Sequence, residues 1–420
     1  MASAKPRAGV RLGRRRFLGA GAIGGAGLAL AAGAGRAPGA AAAVGTGPAP
    51  RAVVPFYGRH QAGIATPAPA HLLFATFDLD PAATAEDVRF LLQTWTATAA
   101  RLTQGQPAVA DDADPAAAPA AAAFDPAGLT LTVGLGPEVF SPERGLAERR
   151  PRWLGPLPPF RFDALDPARS DGDLCVQACA EDRLVLFQAV RELTGLAAGC
   201  ARPRWTQAGF GPPADPAARG ETTRNLQGFK DGTANPRPSD PEFDGIVWVQ
   251  PDDEPAWLRD GSFLVVRRIR MDLDRWEALS VAEQEAVIGR YKDSGAPLSG
   301  TDEFDTPILA PQEDGDHLVP VHSHIMVAAP VHNRGARMLR RGYSYDNGWD
   351  PAANNGNGQA DAGLLFLSYV RDHVSQFIDV QRALDNLDEL NAFITPVGSA
   401  VFAIPPGAAE GEYLGQGLFE

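Results

Sequence analysis

The chain has 420 residues, 45% of them apolar, and carries 38 basic against 51 acidic side chains for a net charge of −13. That is enough for one large or two ordinary domains with real cores, and it excludes disordered and fibrous classes. The acidic balance argues against nucleic acid or an anionic membrane surface as a partner.

The first 43 residues stand apart, with seven Lys/Arg and no acid, followed by a Gly/Ala-rich apolar run. Such a segment is an address rather than part of a fold. In "GRRRFLGAGAIGGAGLALAAGAG", Arg14 and Arg15 precede Phe17 and Leu18, and "APGAAAA" offers a small-residue cleavage region. The arrangement resembles a twin-arginine (Tat) export signal, which places the mature chain in the periplasm or outside the cell. A transmembrane anchor is the alternative, but the run falls short of about 20 strongly apolar residues. A Gly19-x-Gly21-x-x-Gly24 match in the same segment lacks the strand that a dinucleotide site needs before it. Removing the segment leaves 31 basic against 51 acidic residues, a charge of about −20. No stable membrane insertion is expected after that removal.

Residues 71–79 read as a strand, and 84–102 as a helix opened by Thr84 and Asp87 in capping-box spacing. Strands follow at 129–136 and 174–180, an amphipathic helix at 181–196 and a strand at 203–210. This β-α-β-β-α-β order is ferredoxin-like. An Ala/Pro-rich insertion, residues 106–127, reads as a solvated loop, and "GPPADPAARGE" (211–221) as a linker. The order then repeats loosely: strand 262–273, helix 280–292, strand 363–371, helix 376–385 and strand 399–406. Two α+β halves with antiparallel sheets, 44–215 and 216–420, account for the mature chain. Cys175, Cys179 and Cys200 read as buried thiols rather than a disulfide framework.

Three places carry chemistry. "GFKDGTANPRP" (228–238) sets Asp231 between Gly228 and Gly232 and before two prolines; read alone, this is a capped turn. His317, His322, His324 and His332 fall within sixteen residues, with no cysteine nearby and no common zinc spacing. A lone axial histidine for haem needs no spacing motif and stays open. Arg340 and Arg341 precede the strand-like run Gly342-Tyr343-Ser344-Tyr345. They are either a salt-bridged surface pair or a cation in a cavity that holds a carboxylate ionised and stabilises negative charge on an oxygen ligand.

Together "FYGRHQAGI" (56–64), "GFKDGTANP" (228–236), "HSHI…AAP" (322–330), "MLRRGYSYD" (338–346), "GLLFLSY" (363–369) and "DELNAFITPVGSAVFAIPPG" (388–407) resemble the dye-decolourising (DyP-type) haem peroxidases. The likeness is strongest to the Tat-exported subgroup that includes the deferrochelatase/peroxidase of bacterial iron-uptake systems. The resemblance implies two ferredoxin-like domains in a dimeric α+β barrel-like arrangement, with one haem b per chain held mainly by the C-terminal domain.

By the same resemblance Asp231 is the distal proton relay, Arg340 the distal arginine and His324 the axial ligand of the haem iron. Asp388 is the partner of that histidine, Gly232, Thr233 and Ala234 lie against the haem edge, and Phe366 roofs the pocket. Ordinary strand core is the competing reading of Phe366. Met326 and Val331 depart from the pattern, standing where the family often has a basic residue, which bears on how the propionates are anchored. The implied activity is reduction of hydrogen peroxide and oxidation of bulky aromatic or dye-like donors through an oxoferryl intermediate. Two rivals are an iron-handling deferrochelatase that works with iron-uptake components, and a non-catalytic haem-binding protein that needs neither Asp231 nor Arg340.

Overall fold

A computed structural model describes residues 53–107, 125–211, 222–253, 255–352 and 356–420. The expected export segment, most of the alanine-rich insertion, and the linker with its boundary at 215 and 216 lie outside the described residues.

Nine strands form one sheet: β1 (His71–Leu79), β2 (Thr130–Leu135), β3 (Leu174–Ala180), β4 (Ala201–Phe210), β5 (Ser262–Met271), β6 (Leu339–Arg340), β7 (Tyr343–Asp350), β8 (Gln359–Val370) and β9 (Ile394–Ile404). Every strand pairing is antiparallel. The order is β5-β9-β2-β3-β1-β4-β7-β8-β6, and a further β5–β8 pairing closes eight of these strands into a ring. Within the ring, β4-β1-β3-β2 and β9-β5-β8-β7 have the same internal order, that of two ferredoxin-like units joined edge to edge. The joins are narrow, with a single register pair each: Leu135 opposite Ala403, and Phe210 opposite Ser344. Closure removes the open edges that two separate sheets would carry.

Strands buried on both faces read as continuous apolar runs, and β3 shows why. Its Cys175 and Cys179 pack with Phe74, Leu264, Leu367 and Phe402 in one core. Val176 and Ala178 pack in the other core, with Leu91 and Trp95 of helix α1 (Ala85–Thr103) and Leu186 and Leu193 of helix α2 (Arg183–Leu196). Helix α1 opens with the expected capping box between Thr84 and Asp87. Cys175 and Cys179 are buried and Cys200 half-buried, all three as free thiols.

Several boundaries differ from expectation for local reasons. The helix expected over 280–292 is α3 (Val281–Ile288), stopped by Gly289 in the left-handed region at φ 89°. The last strand begins five residues early, at Ile394, because a register shift between Arg268 and Ile269 lets Pro396 sit within it. The histidine stretch is not extended: a turn leads into a short helix, α4 (His324–Val327). His322 is exposed, and its carbonyl accepts from the Glu389 N–H. A final helix, α5 (Asp379–Leu387), ends where Asp388 begins a 3₁₀ turn. Among the described residues no helix is long and apolar enough to cross a membrane.

Candidate active site

One cavity of about 620 Å³ is lined by every residue expected at the site: Asp231, Gly232, Thr233, Ala234, His324, Arg340, Phe366 and Asp388. Most of its wall comes from the second half of the chain, but Phe162 and Asp163 reach in from the first.

The Asp231 loop does more than a capped turn. Gly232 takes φ 127°, which a side chain resists, and Asp231 donates its N–H to the Thr223 carbonyl at 2.7 Å. Its carboxylate accepts from Arg340 Nη1 at 3.0 Å, and the two side chains are 27% and 29% exposed. The segment is a turn, as read from its residues, and the turn carries a partner 109 residues away. The adjacent Arg341 is sealed at 7% exposure and donates to the Ile64, Thr66 and Pro67 carbonyls. Strand alternation separates the two roles, Arg340 toward the cavity and Arg341 into the packing.

His324, at the start of α4, holds Asp388 Oδ2 through Nδ1 at 2.6 Å. A carboxylate can only accept, so Nδ1 carries the proton, and in the neutral ring Nε2 then keeps its lone pair. Asp388 is buried, and its second oxygen accepts from the Leu390 N–H at 2.9 Å, which fixes the carboxylate. Burial by itself lowers the His324 pKa, and the charge and hydrogen bond of Asp388 more than offset this, so the net shift is upward. The side chain keeps 31% of its surface open.

Haem fits these residues. The volume lies within the roughly 300–1,000 Å³ of ordinary ligand pockets. Phe229, Ile269, Leu364, Phe366 and Leu384 supply apolar walls for a flat macrocycle. A histidine whose far nitrogen is tied to a carboxylate is the arrangement that favours a basic axial imidazole. A bare metal ion fits less well: among the described residues no group of three or more His, Cys, Asp or Glu is placed to hold one.

Val331 lines the cavity and Met326 is buried, so neither supplies a cation. Arg267, Arg290 and Arg337 also line it. Arg267 pairs with Asp163 and Arg337 with Glu242, whereas Arg290 donates to the Gly295 and Glu303 carbonyls. Sequence reasoning had assigned none of these three a role, because no motif links them to the Asp231 loop.

Comparison with known proteins agrees with this geometry. Residues 61–211 match the family description "Dyp-type peroxidase, N-terminal" and residues 222–409 match "Dyp-type peroxidase, C-terminal". The chain is 44% identical over 371 residues to the dye-decolorizing peroxidase of Thermobifida fusca, covering 86% of this chain and 84% of that protein. It is 36% identical over 377 residues to the deferrochelatase of Escherichia coli K12, covering 87% and 86%. Among solved structures, ferric DtpA from Streptomyces lividans superposes with a TM-score of 0.80 at 43% identity, over 87% of this chain and 97% of that one.

A closed α+β ring with a cavity that fits haem, in a chain whose relatives are named as peroxidases, defines a haem-dependent peroxidase. The chain belongs to the Dyp-type peroxidase family.

Proposed function

We propose that the enzyme reduces hydrogen peroxide to water with electrons from bulky aromatic or dye-like donors, using His324 as axial ligand and Asp231 with Arg340 as its peroxide-handling pair. The observation that carries this reading is the Asp231–Arg340 contact of 3.0 Å in the same cavity as the His324–Asp388 contact of 2.6 Å. When bound, haem supplies the iron at which peroxide is reduced and carries the oxidising equivalents to the donor.

Asp231 is placed to take a proton from one peroxide oxygen and return it to the other as the O–O bond breaks. Arg340 keeps that carboxylate company in a partly enclosed site and offers fixed positive charge to the departing oxygen. Asp388 holds the His324 imidazole in one tautomer and orientation. Phe366 covers the pocket with an apolar face and limits water around the reacting oxygens.

A second reading, release of iron from haem beside iron-uptake components, is favoured by the 36% identity to proteins named deferrochelatase. The optical spectrum of the haem-loaded protein with and without one equivalent of peroxide, dye turnover, and iron release under anaerobic reduction separate the two. The peroxidase reading requires peroxide-dependent dye oxidation with the haem iron retained. Iron release without dye turnover would overturn it. For location, the Arg14–Arg15 pair and its glycine-diluted apolar run support Tat export. Replacing both arginines with lysine is expected to hold the protein in the cytoplasm, and unimpaired export would refute the reading.

A further inference from the structure

The Asp231–Arg340 contact joins a loop to a two-residue strand. Strand β6 pairs with β8 through Arg340 opposite Ser368, and β6 ends the sheet. At the free edge of such a strand, the backbone N–H and C=O need other partners. Asn235 supplies both: its Nδ2 donates to the Arg340 carbonyl at 2.6 Å and its Oδ1 accepts from the Arg340 N–H at 3.1 Å. A side-chain amide presents the same donor and acceptor as a peptide, so one residue stands in for a neighbouring strand.

Asn235 is also tied to the Asp231 turn, because its own N–H donates to the Gly232 carbonyl at 2.9 Å. The turn is anchored from its other side by buried Glu303, which accepts from Lys230 Nζ and, at 3.0 Å, from Thr233 Oγ1. The residues flanking Asp231 and Gly232 are thus fixed to one carboxylate, and the fourth residue after Asp231 is fixed to the Arg340 peptide. Asn235 is not among the residues that line the cavity.

We propose that Asn235 is a positioning residue of the peroxide reaction, setting the distance between the Asp231 carboxylate and the Arg340 guanidinium by holding the Arg340 backbone against the Asp231 loop. The proposal rests on the assignment of that pair to the peroxide step. Misplacing a catalytic group by about 1 Å costs on the order of 100-fold in rate.

The test is a double-mutant cycle on the haem-loaded full chain, read as the second-order rate constant for peroxide from stopped-flow absorbance, with a crystal structure of the single variant. Asn235→Ala is expected to slow the reaction about 10- to 100-fold with haem content unchanged. In an Arg340→Leu background the same substitution is expected to add less than about 3-fold, because a residue acting through Arg340 has nothing left to act on. The Asp231–Arg340 distance is expected to exceed 3.0 Å in the Asn235→Ala structure.

Should Asn235→Ala not fold, Asn235→Asp serves instead: it keeps the shape and the acceptor but loses the donor to the Arg340 carbonyl. An unchanged rate in Asn235→Ala, or an equal loss in both backgrounds, would overturn the proposal. If Arg340→Leu itself reacted at the wild-type rate, the assignment of the pair would fall, and the distance in the Asn235→Ala structure would still decide the positioning claim.

Discussion

Removing the guanidinium of Arg340 is the sharpest test of the site. The group lies 3.0 Å from Asp231 and is 29% exposed, so its charge acts through a medium between bulk water and protein interior. At about 4 Å from a charge developing on the departing oxygen, and an effective dielectric of about 20, one unit charge contributes about 4 kcal/mol. That corresponds to about 10³-fold in rate, and partial solvent access brings the expectation to about 10²- to 10³-fold. Removing the proton relay with Asp231→Asn is expected to cost about 10²- to 10⁴-fold, reduced where a pocket water replaces the carboxylate. With a pocket water standing in for the carboxylate, Arg340→Leu is expected to slow the reaction at least as much as Asp231→Asn, with haem retained in both. Stopped-flow mixing of each haem-loaded variant with excess peroxide, followed at the Soret band, gives the rate constants. A wild-type rate in Arg340→Leu would make that arginine structural. Arg341 could not then take over, since its guanidinium is sealed against the carbonyls of Ile64, Thr66 and Pro67.

Three further outcomes follow from the geometry. His324→Ala is expected to abolish stable haem incorporation while exposed His322→Ala leaves it intact, which haem-to-protein absorbance ratios of the purified variants check. For Glu303, burial alone raises the pKa, but the hydrogen bonds from Lys230, Thr222 and Thr233 outweigh it and the net shift is downward. Its contribution to stability is thus full above the ordinary glutamate value of about 4.3 and is lost as pH falls through the lower native value; the unfolding midpoint of Glu303→Gln should lie well below wild type at pH 7, with the gap closing below about pH 4. Gly363→Ala should fail to give soluble protein or lose several kcal/mol, because a methyl there would sit 1.9 Å from the Ile269 carbonyl oxygen and force β5 and β8 apart; a denaturant midpoint within error of wild type would refute this.

The strands His71–Leu79 and Leu174–Ala180 have the bounds that their apolar runs suggested, because burial on both faces leaves an unbroken signal. Helix α1 was legible from its cap, a purely local device. The start of β9 was not, since Pro396 is a strand breaker by local rules and only the register shift against β5 accommodates it. The same division runs through the site. Motif resemblance pointed to Asp231, His324, Arg340, Phe366 and Asp388, and folding brings all five to one cavity.

What sequence alone determined was the set of chemical groups and the two α+β halves, because side-chain type and local periodicity are written residue by residue. Tertiary structure alone decided which groups meet. It folded the histidine stretch into a turn and a short helix, and sent Arg340 to Asp231 and Arg341 into the packing. It also joined Asn235 to a peptide 105 residues away and set Glu303 beneath the loop. Those contacts join segments distant in the chain, and a hydrogen bond across such a distance leaves no periodic mark on either partner.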